Sequence, residues 1–368
     1  MTETNTGPTP RPFRILTLDG GGIRGAFAAA FLADLEHRLQ CRVGDYFDLV
    51  VGTSTGGIIG AAIALGEPAN RIEKFYREKG PMVFRRRWEQ PTSRWRRVLR
   101  SVRRLPARVC DRVLRRFGLD CDWLRRPKYD TVVLRESLEE VFGNRTMEDA
   151  QTCRLLINSV DLTRGQTIVF KTPHLPGMVR DRHYRIADII LATTAAPTYF
   201  PHAVIGEGSA FVDGGVWANN PSMVAVAESL QIKQKCQRDG IDPVFNLESV
   251  QLLAIGTGKA PLFAVPPPQG AGVAWWAKGL LDLVSITQAQ GVHFQSKYIL
   301  NDRYQRIDFD VPDGSWRLDA VDRLSQLIHL GHNKSAEEVS RLKPLFFTER
   351  AEPYNPFPDV GPEPDRIT

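Results

Sequence analysis

The sequence predicts an α/β fold, a mostly parallel sheet flanked by helices, and three observations carry that reading. Short apolar runs alternate with helical patterns along most of the chain. Glycine-rich turns follow directly on the first two of those runs. The chain has 368 residues, 42% of them hydrophobic and 24% charged, enough to bury a large core without disulfides or metals. A mean hydropathy of −0.25 describes an ordinary globular chain and excludes a disordered or fibrous one.

The elements follow in order. Phe13–Leu18 is a short apolar strand, then come glycines and a helical pattern over Ala26–Leu39. Tyr46–Gly52 reads as a second buried strand, followed by small residues and a helix over Ile58–Leu65. Leu155–Val160, Thr167–Lys171 and Val250–Ile255 are further strands, whereas Ile186–Ala195, Ser222–Lys235 and Ala274–Tyr298 favour helix. Residues 1–12 and 353–368 are Pro-rich, Thr-rich or acidic and have little to bury, so both read as flexible tails around one domain, 13–352.

Two uncharged stretches have to be tested as membrane spans. Leu49–Gly66 carries five glycines with Thr and Ser, and Ala260–Ala277 is interrupted by Pro266, Pro267 and Pro268. A spanning helix wants about 20 predominantly apolar residues, and neither stretch fits. The first residues lack the apolar core of a secretory signal. Cys41, Cys110, Cys121, Cys153 and Cys236 form no CxxC pair and read as free thiols in a reducing cytosol. The expected location is therefore cytoplasmic.

The net charge of +6 is concentrated in one segment. From Phe84 to Arg126 there are fifteen Arg and four acids, so the rest of the chain sums to −5. Within that segment Trp95, Val98, Val102, Leu105, Val109, Val113 and Phe117 recur at spacings of three and four, an amphipathic helix broken near Pro106. The segment reads as an insertion in the alternating pattern. Trp88, Trp95, Phe117 and Trp123 among the arginines suit an anionic phospholipid surface, at about 1 kcal/mol per basic residue near it. A solvated helix packed by its apolar stripe explains the same pattern. No nucleic-acid recognition module accompanies the arginines, so no nucleic-acid partner is expected.

Three motifs bear chemistry. Asp19-Gly20-Gly21-Gly22-Ile23-Arg24-Gly25 follows the first strand and opens a helix. Backbone amides free of Cβ there can cradle an anion, and the helix N-terminus adds positive character. Arg24 adds charge or anchors a nearby acid. The same glycines, Gly20, Gly22 and Gly25, also fit a dinucleotide-binding fingerprint. Gly52-Thr53-Ser54-Thr55-Gly56 stands between a strand and a helix, the context of a nucleophile elbow that pushes Ser54 Oγ out at the carboxyl edge of a sheet. Asp213-Gly214-Gly215 follows a short apolar run and alone is an ordinary turn.

Ser54 needs a base, and the chain has seven histidines: His37, His174, His183, His202, His293, His329 and His332. His202, in Tyr-Phe-Pro-His, is the one tempting partner. His329 and His332 belong to a late polar helix. None has a spacing that suggests a zinc site, and no metal or other cofactor is expected.

These motifs, in this order, resemble the patatin-like phospholipase family. The similarity extends through FDLVVGTSTGG, ATTAAPTYFP and FVDGGVWANNP, roughly Phe13 to Gly258. The resemblance implies a patatin-like three-layer sandwich and a Ser–Asp dyad without histidine that hydrolyses acyl esters of membrane phospholipid. By matching motif, Ser54 is the nucleophile and Asp213 its base. Gly20, Gly21 and Gly22 supply the oxyanion hole with Arg24 beside them, and Gly52 and Gly56 shape the elbow. DGG in place of DGA leaves the carboxylate unchanged. A carboxylate with a reference pKa of ~3.9 is a weak base in water, and a dry pocket strengthens it.

RILTLDGGGIRGAFAAAFLADLE, KYD, VFKTPH and VDGGVWANNPSMVAVAE are similar to a bacterial branch of that family switched on by cyclic dinucleotides in anti-phage signalling. The similarity implies a cyclic dinucleotide activator and recruitment to the inner membrane on activation. Candidate phosphate-binding arginines lie in 84–126 and 171–185, and the sequence does not choose among them. It also leaves the oligomeric state open.

Two other readings compete. A nucleotide-binding oxidoreductase would need an acid at the carboxyl end of the second strand, whereas Asp45 and Asp48 precede or open that strand. An inactive membrane-surface scaffold would use the Arg-rich segment alone.

Overall fold

A computed structural model describes residues 11–85, 127–206, 208–238, 245, 247–259, 270, 280–312, 316–352, 354 and 356. Eight strands form one sheet: β1 (Arg14–Leu18), β2 (Leu49–Thr53), β3 (Arg154–Asp161), β4 (Gln166–Lys171), β5 (Ala203–Ile205), β6 (Ser209–Asp213), β7 (Gln251–Ile255) and β8 (Tyr304–Ile307). Their order is β5-β6-β3-β2-β1-β7-β8, with β4 also paired to β3. The run β3-β2-β1-β7-β8 is parallel, and β4, β5 and β6 join antiparallel at the β3 end.

The helices are α1 (Gly25–Leu39), α2 (Thr55–Ala64), α3 (Ala69–Val83), α4 (Val132–Phe142), α5 (Ile186–Thr194), the short α6 (Gly215–Ala218), α7 (Ser222–Arg238), α8 (Leu280–Leu300) and α9 (Leu324–Phe346). They cover both faces of the sheet. Alternate residues of the central strands divide between two cores, as the period of two requires. Leu16, Leu18, Val50, Leu155 and Ile157 join α1, α2 and α9 in the larger core. Ile15, Leu49, Val51, Leu156 and Leu252 join α7 in the smaller. The result is a three-layer sandwich.

The register on β3 positions the site. β4 occupies one edge of β3 along Leu156–Asp161. A strand has two edges, so β2 and β6 share the other. β2 pairs with it up to Thr53 opposite Asn158, and β6 takes over with Asp213 opposite Ser159. Two strands far apart in sequence therefore end side by side.

Several boundaries differ from the sequence expectation. Val43–Tyr46 is a 3-10 turn and the second strand runs Leu49–Thr53, because Asp48 turns back to accept the Arg14 amide at 2.9 Å. α2 begins at Thr55, so the small residues after the strand are already helical. Periodicity gave no notice of α3, α4 or β8. Tyr354 lies within the stretch expected to be a loose tail, yet it is buried, and the Arg154 guanidinium stands over its ring and that of Phe13. The Arg-rich amphipathic helix expected at 84–126 falls outside the described residues beyond Arg85, as do Cys110 and Cys121 and most of the tails. Among the described residues Cys41, Cys153 and Cys236 are free thiols, and no helix is long and apolar enough to cross a membrane.

Candidate active site

Ser54 sits on the sharp turn between β2 and α2 with φ 54° and ψ −121°. Such backbone costs a non-glycine residue about 1–3 kcal/mol and persists only where its surroundings enforce it. Here the enforcement is steric and polar. A Cβ on Gly56 would collide with the Leu18 carbonyl oxygen, and one on Gly52 with the Gly56 carbonyl, so only glycine lets the turn close. The Ser54 amide donates to Thr193 Oγ1 at 2.8 Å, and that hydroxyl donates to the Asn158 carbonyl at 2.5 Å.

The Ser54 hydroxyl donates to Asp213 Oδ2 at 2.6 Å. Asp213 closes β6; its other oxygen accepts the Gly215 amide at 2.7 Å. Both side chains are buried, Ser54 at 7% and Asp213 at 6% exposure. Burial pushes the Asp213 carboxyl up to about 6, against the pull of its hydrogen bonds from Ser54 and Gly215. Near neutral pH the group is thus an ionised carboxylate with a heightened affinity for a proton. Gly214 packs against the Asn158 carbonyl where a side chain would not fit.

The loop Asp19–Gly25 forms the opposite wall. Its first glycine does not serve as expected: the Gly20 amide donates to the Asn219 carbonyl at 2.9 Å, which commits that donor. Among the described residues no acceptor pairs with the amides of Gly21 and Gly22, both of which line the cavity with Ser54. Of the three glycine amides expected to face an oxyanion, those of Gly21 and Gly22 are thus the two left without an acceptor among the described residues. The loop leads through a 3-10 turn, Gly22–Arg24, before α1 starts at Gly25, which packs against Thr55.

Residues far along the chain hold this loop. Arg306 of β8 grips Asp19 with both terminal nitrogens, at 3.2 and 2.5 Å, and also contacts Asp308 at 2.8 Å. Thr257 donates to the Gly20 carbonyl at 2.6 Å, and the Leu318 carbonyl accepts the Ile23 amide at 2.9 Å. Gly22, at φ +57°, passes so close to that Leu318 carbonyl that a Cβ would overlap it. Asp19 is buried and its carboxyl is raised to about 6 by desolvation, with Arg306 pulling the other way.

The cavity enclosed by these elements has a volume of about 280 Å³, and Ile58, Phe75, Val83, Phe84 and Phe200 give it an apolar side. Arg24 stands in it half-buried; its Nε lies 3.5 Å from the Gly21 carbonyl. Burial holds its pKa below the ordinary guanidinium value, and Asp282 is the acid that offsets this most. Mixed apolar walls with a few convergent polar groups suit an acyl chain attached to a polar ester.

All the histidines but His293 fall outside the cavity. His202 is exposed and does not line the cavity. His174 is buried against Thr172 and Glu228, at 3.0 and 2.9 Å. His332 bonds Glu73, His329 bonds Asn333, and His183 faces Glu148. His293 does line the cavity, where it contacts the Tyr304 hydroxyl at 3.2 Å. No cluster of His, Cys, Asp and Glu suited to a metal occurs among the described residues.

The model of one protein family, described as patatin-like phospholipase, matches residues 16–226. The chain belongs to the patatin-like phospholipase family. It has the patatin fold and is a hydrolase of lipid acyl esters. It is 32% identical over 356 residues to a cGAMP-activated phospholipase of Vibrio cholerae, covering 90% of this chain and 93% of that one. A cGAMP-activated phospholipase of Pseudomonas aeruginosa is 32% identical, with 85% and 83% covered. Patatin-like protein 1 of Arabidopsis thaliana is 30% identical, with 82% and 75% covered. Membership disposes of the oxidoreductase and scaffold readings, and Asp48 lies at the N-terminal edge of β2, bound by Arg11 and the Arg14 amide.

Sequence reading missed the residues that support this patatin-like site. Thr257 and Arg306 belong to no quoted motif, and the matched region ends before both; Thr193 lies within ATTAAPTYFP, but nothing there marked its hydroxyl as the partner of the Ser54 amide. A threonine at the end of a buried helix and an arginine within a strand are the signals that were available.

Proposed function

We propose that the protein is a phospholipase that cleaves acyl esters of membrane phospholipid with Ser54 as nucleophile and Asp213 as its base. The observation that carries the proposal is the 2.6 Å hydrogen bond between Ser54 Oγ and Asp213 Oδ2 at the floor of the glycine-lined cavity. As Oγ attacks the ester carbonyl, its proton passes to the Asp213 carboxylate. The carbonyl oxygen gains negative charge, which the amides of Gly21 and Gly22 stabilise by about 3–4 kcal/mol per donor. Collapse of the intermediate expels the lysophospholipid alkoxide, which takes the proton from Asp213. A water molecule then attacks the acyl-serine, gives its proton to Asp213, and the reverse transfer to Oγ releases the fatty acid. Gly215, by bonding the other carboxylate oxygen, keeps Oδ2 aimed at Ser54.

The names of the Vibrio and Pseudomonas relatives support a second element: activation by a cyclic dinucleotide. Anti-phage signalling at the inner membrane is the setting that goes with it. The test is fatty-acid release from mixed bacterial lipids by the purified protein, with and without cGAMP. Release that rises with cGAMP and disappears in Ser54→Ala is the expected result. Equal turnover by folded Ser54→Ala overturns the dyad, and release unchanged by cGAMP overturns the activation.

A further inference from the structure

Helix α8 presents two opposed faces. At about 100° per residue, Asp282, Ser285, Ile286, Ala289 and His293 fall on one side, and all five line the cavity. The helix is tied to the loop after Asp213. Ser285 Oγ donates to the Gly215 carbonyl at 3.1 Å, and Gln288 accepts the Asn220 amide at 3.0 Å. Leu280, Val284, Thr287, Gly291, Phe294 and Tyr298 lie within about 40° of one line on the opposite side, with the Thr287 hydroxyl turned back to donate to the Leu283 carbonyl at 2.7 Å. Exposure there is 50% for Leu280, 38% for Val284, 57% for Phe294 and 82% for Tyr298. With Ile299 beside them, they make up five of the ten exposed large apolar side chains of the described residues.

The outer face of a helix packed on a domain is ordinarily polar. Here Asp282 and Lys297 are the only acidic or basic residues besides His293 among the 21 of the helix, and none of the three is on the stripe. The stripe extends about 27 Å at 1.5 Å per residue. An apolar surface of this kind marks a membrane or protein contact, and what lies on the other side of the same helix decides between them. The helix is a wall of the cavity that has to receive a lipid acyl chain, and that lipid resides in a bilayer. Lys297 follows the stripe at about 100° from Tyr298, so a basic residue borders an aromatic one at the helix end, residue types suited to the headgroup boundary.

We infer that the outer face of α8 is a membrane-docking surface, inserted in the plane of the bilayer interface so that the cavity behind it meets phospholipid. This rests on the proposed reading of the cavity as a phospholipid site. Docking by an uncharged stripe needs no anionic lipid and survives screening by salt, which separates it from attraction through the arginines of 84–126.

The test is co-sedimentation of the full chain with phosphatidylcholine vesicles, at low and high salt, with and without cGAMP. Wild type is compared with the double substitution Phe294→Glu/Tyr298→Glu. Wild type binds at both salt concentrations, and the double variant partitions about 100-fold less, about tenfold per aromatic lost. Its hydrolysis of a soluble short-chain ester and its unfolding midpoint stay at wild-type values, and Phe294→Leu retains binding. Binding by the double variant equal to wild type overturns the inference, as does wild-type binding that is absent or abolished by salt. A change of oligomeric state with vesicle binding unaltered assigns the face to self-association and overturns it equally. Ser54→Ala keeps the two proposals apart: it should bind vesicles while cleaving nothing, and retained cleavage sinks the dyad while leaving the docking result standing.

Discussion

Two glycine motifs face each other across the cavity, and they owe their shapes to different causes. The elbow Gly52–Gly56 is the more local of the two. Its strand, turn and helix are contiguous and Gly52 packs on the Gly56 carbonyl, although Gly56 meets the Leu18 carbonyl of β1 and Thr193 accepts the Ser54 amide. The loop Asp19–Gly25 takes its course from residues some two to three hundred positions away: Asn219, Thr257, Arg306 and Leu318. A motif that reads as one functional unit can therefore be a local structure or a tertiary one. The two should fail differently when perturbed.

The largest effect falls on the dyad that the elbow presents. Ser54→Ala and Asp213→Asn are each expected to lower kcat on phospholipid by about 10⁴-fold or more in folded protein, measured as fatty-acid release beside circular dichroism. The loop is next. Gly22→Ala combines positive φ with overlap on the Leu318 carbonyl, and a loss of about 2–4 kcal/mol in stability is expected by urea unfolding. Breaking the loop through its distant clamp is the sharper comparison. Arg306→Met leaves Asp19 and Asp308 buried without their cation, at a cost of about 3 kcal/mol. Arg306→Lys keeps the charge but loses the two-pronged grip on Asp19, and about a tenfold fall in kcat with KM unchanged is expected. Equal kcat in wild type and Arg306→Lys would show that the loop holds its shape without the clamp.

Asp213 links site and stability with a defined sign. Its folded pKa of about 6 exceeds the unfolded value of ~3.9. Folded protein then binds the proton more tightly, so its contribution favours folding below pH ~4 and is lost as pH rises through about 6. Asp213→Asn removes the charge that burial disfavours. A gain of about 1–3 kcal/mol at pH 7, and none near pH 4, is expected from denaturation curves at the two pH values. The smallest effect is kinetic: kcat/KM of wild type should fall as pH drops through about 6, where the base takes up its proton. Asp19, also raised to about 6, titrates in the same window, so Asp19→Asn tests whether the limb belongs to the dyad or to the clamp.

The sequence alone determined the alternation of strands and helices and the elbow, because strand period, helix period and tight-turn glycines are properties of neighbours in the chain. It marked Ser54 by its place between a strand and a helix, and Asp213 as its partner only through motif resemblance. Their meeting required β2 and β6 to share one edge of β3, a pairing across some 160 positions. Tertiary structure decided which glycine amides remain available, since Asn219 takes the one on Gly20. It also decided that Arg306 clamps Asp19 and that one face of α8 closes the cavity while the other meets solvent. Hydrogen-bond partners and burial depend on which segments come together in space, and no local pattern encodes that.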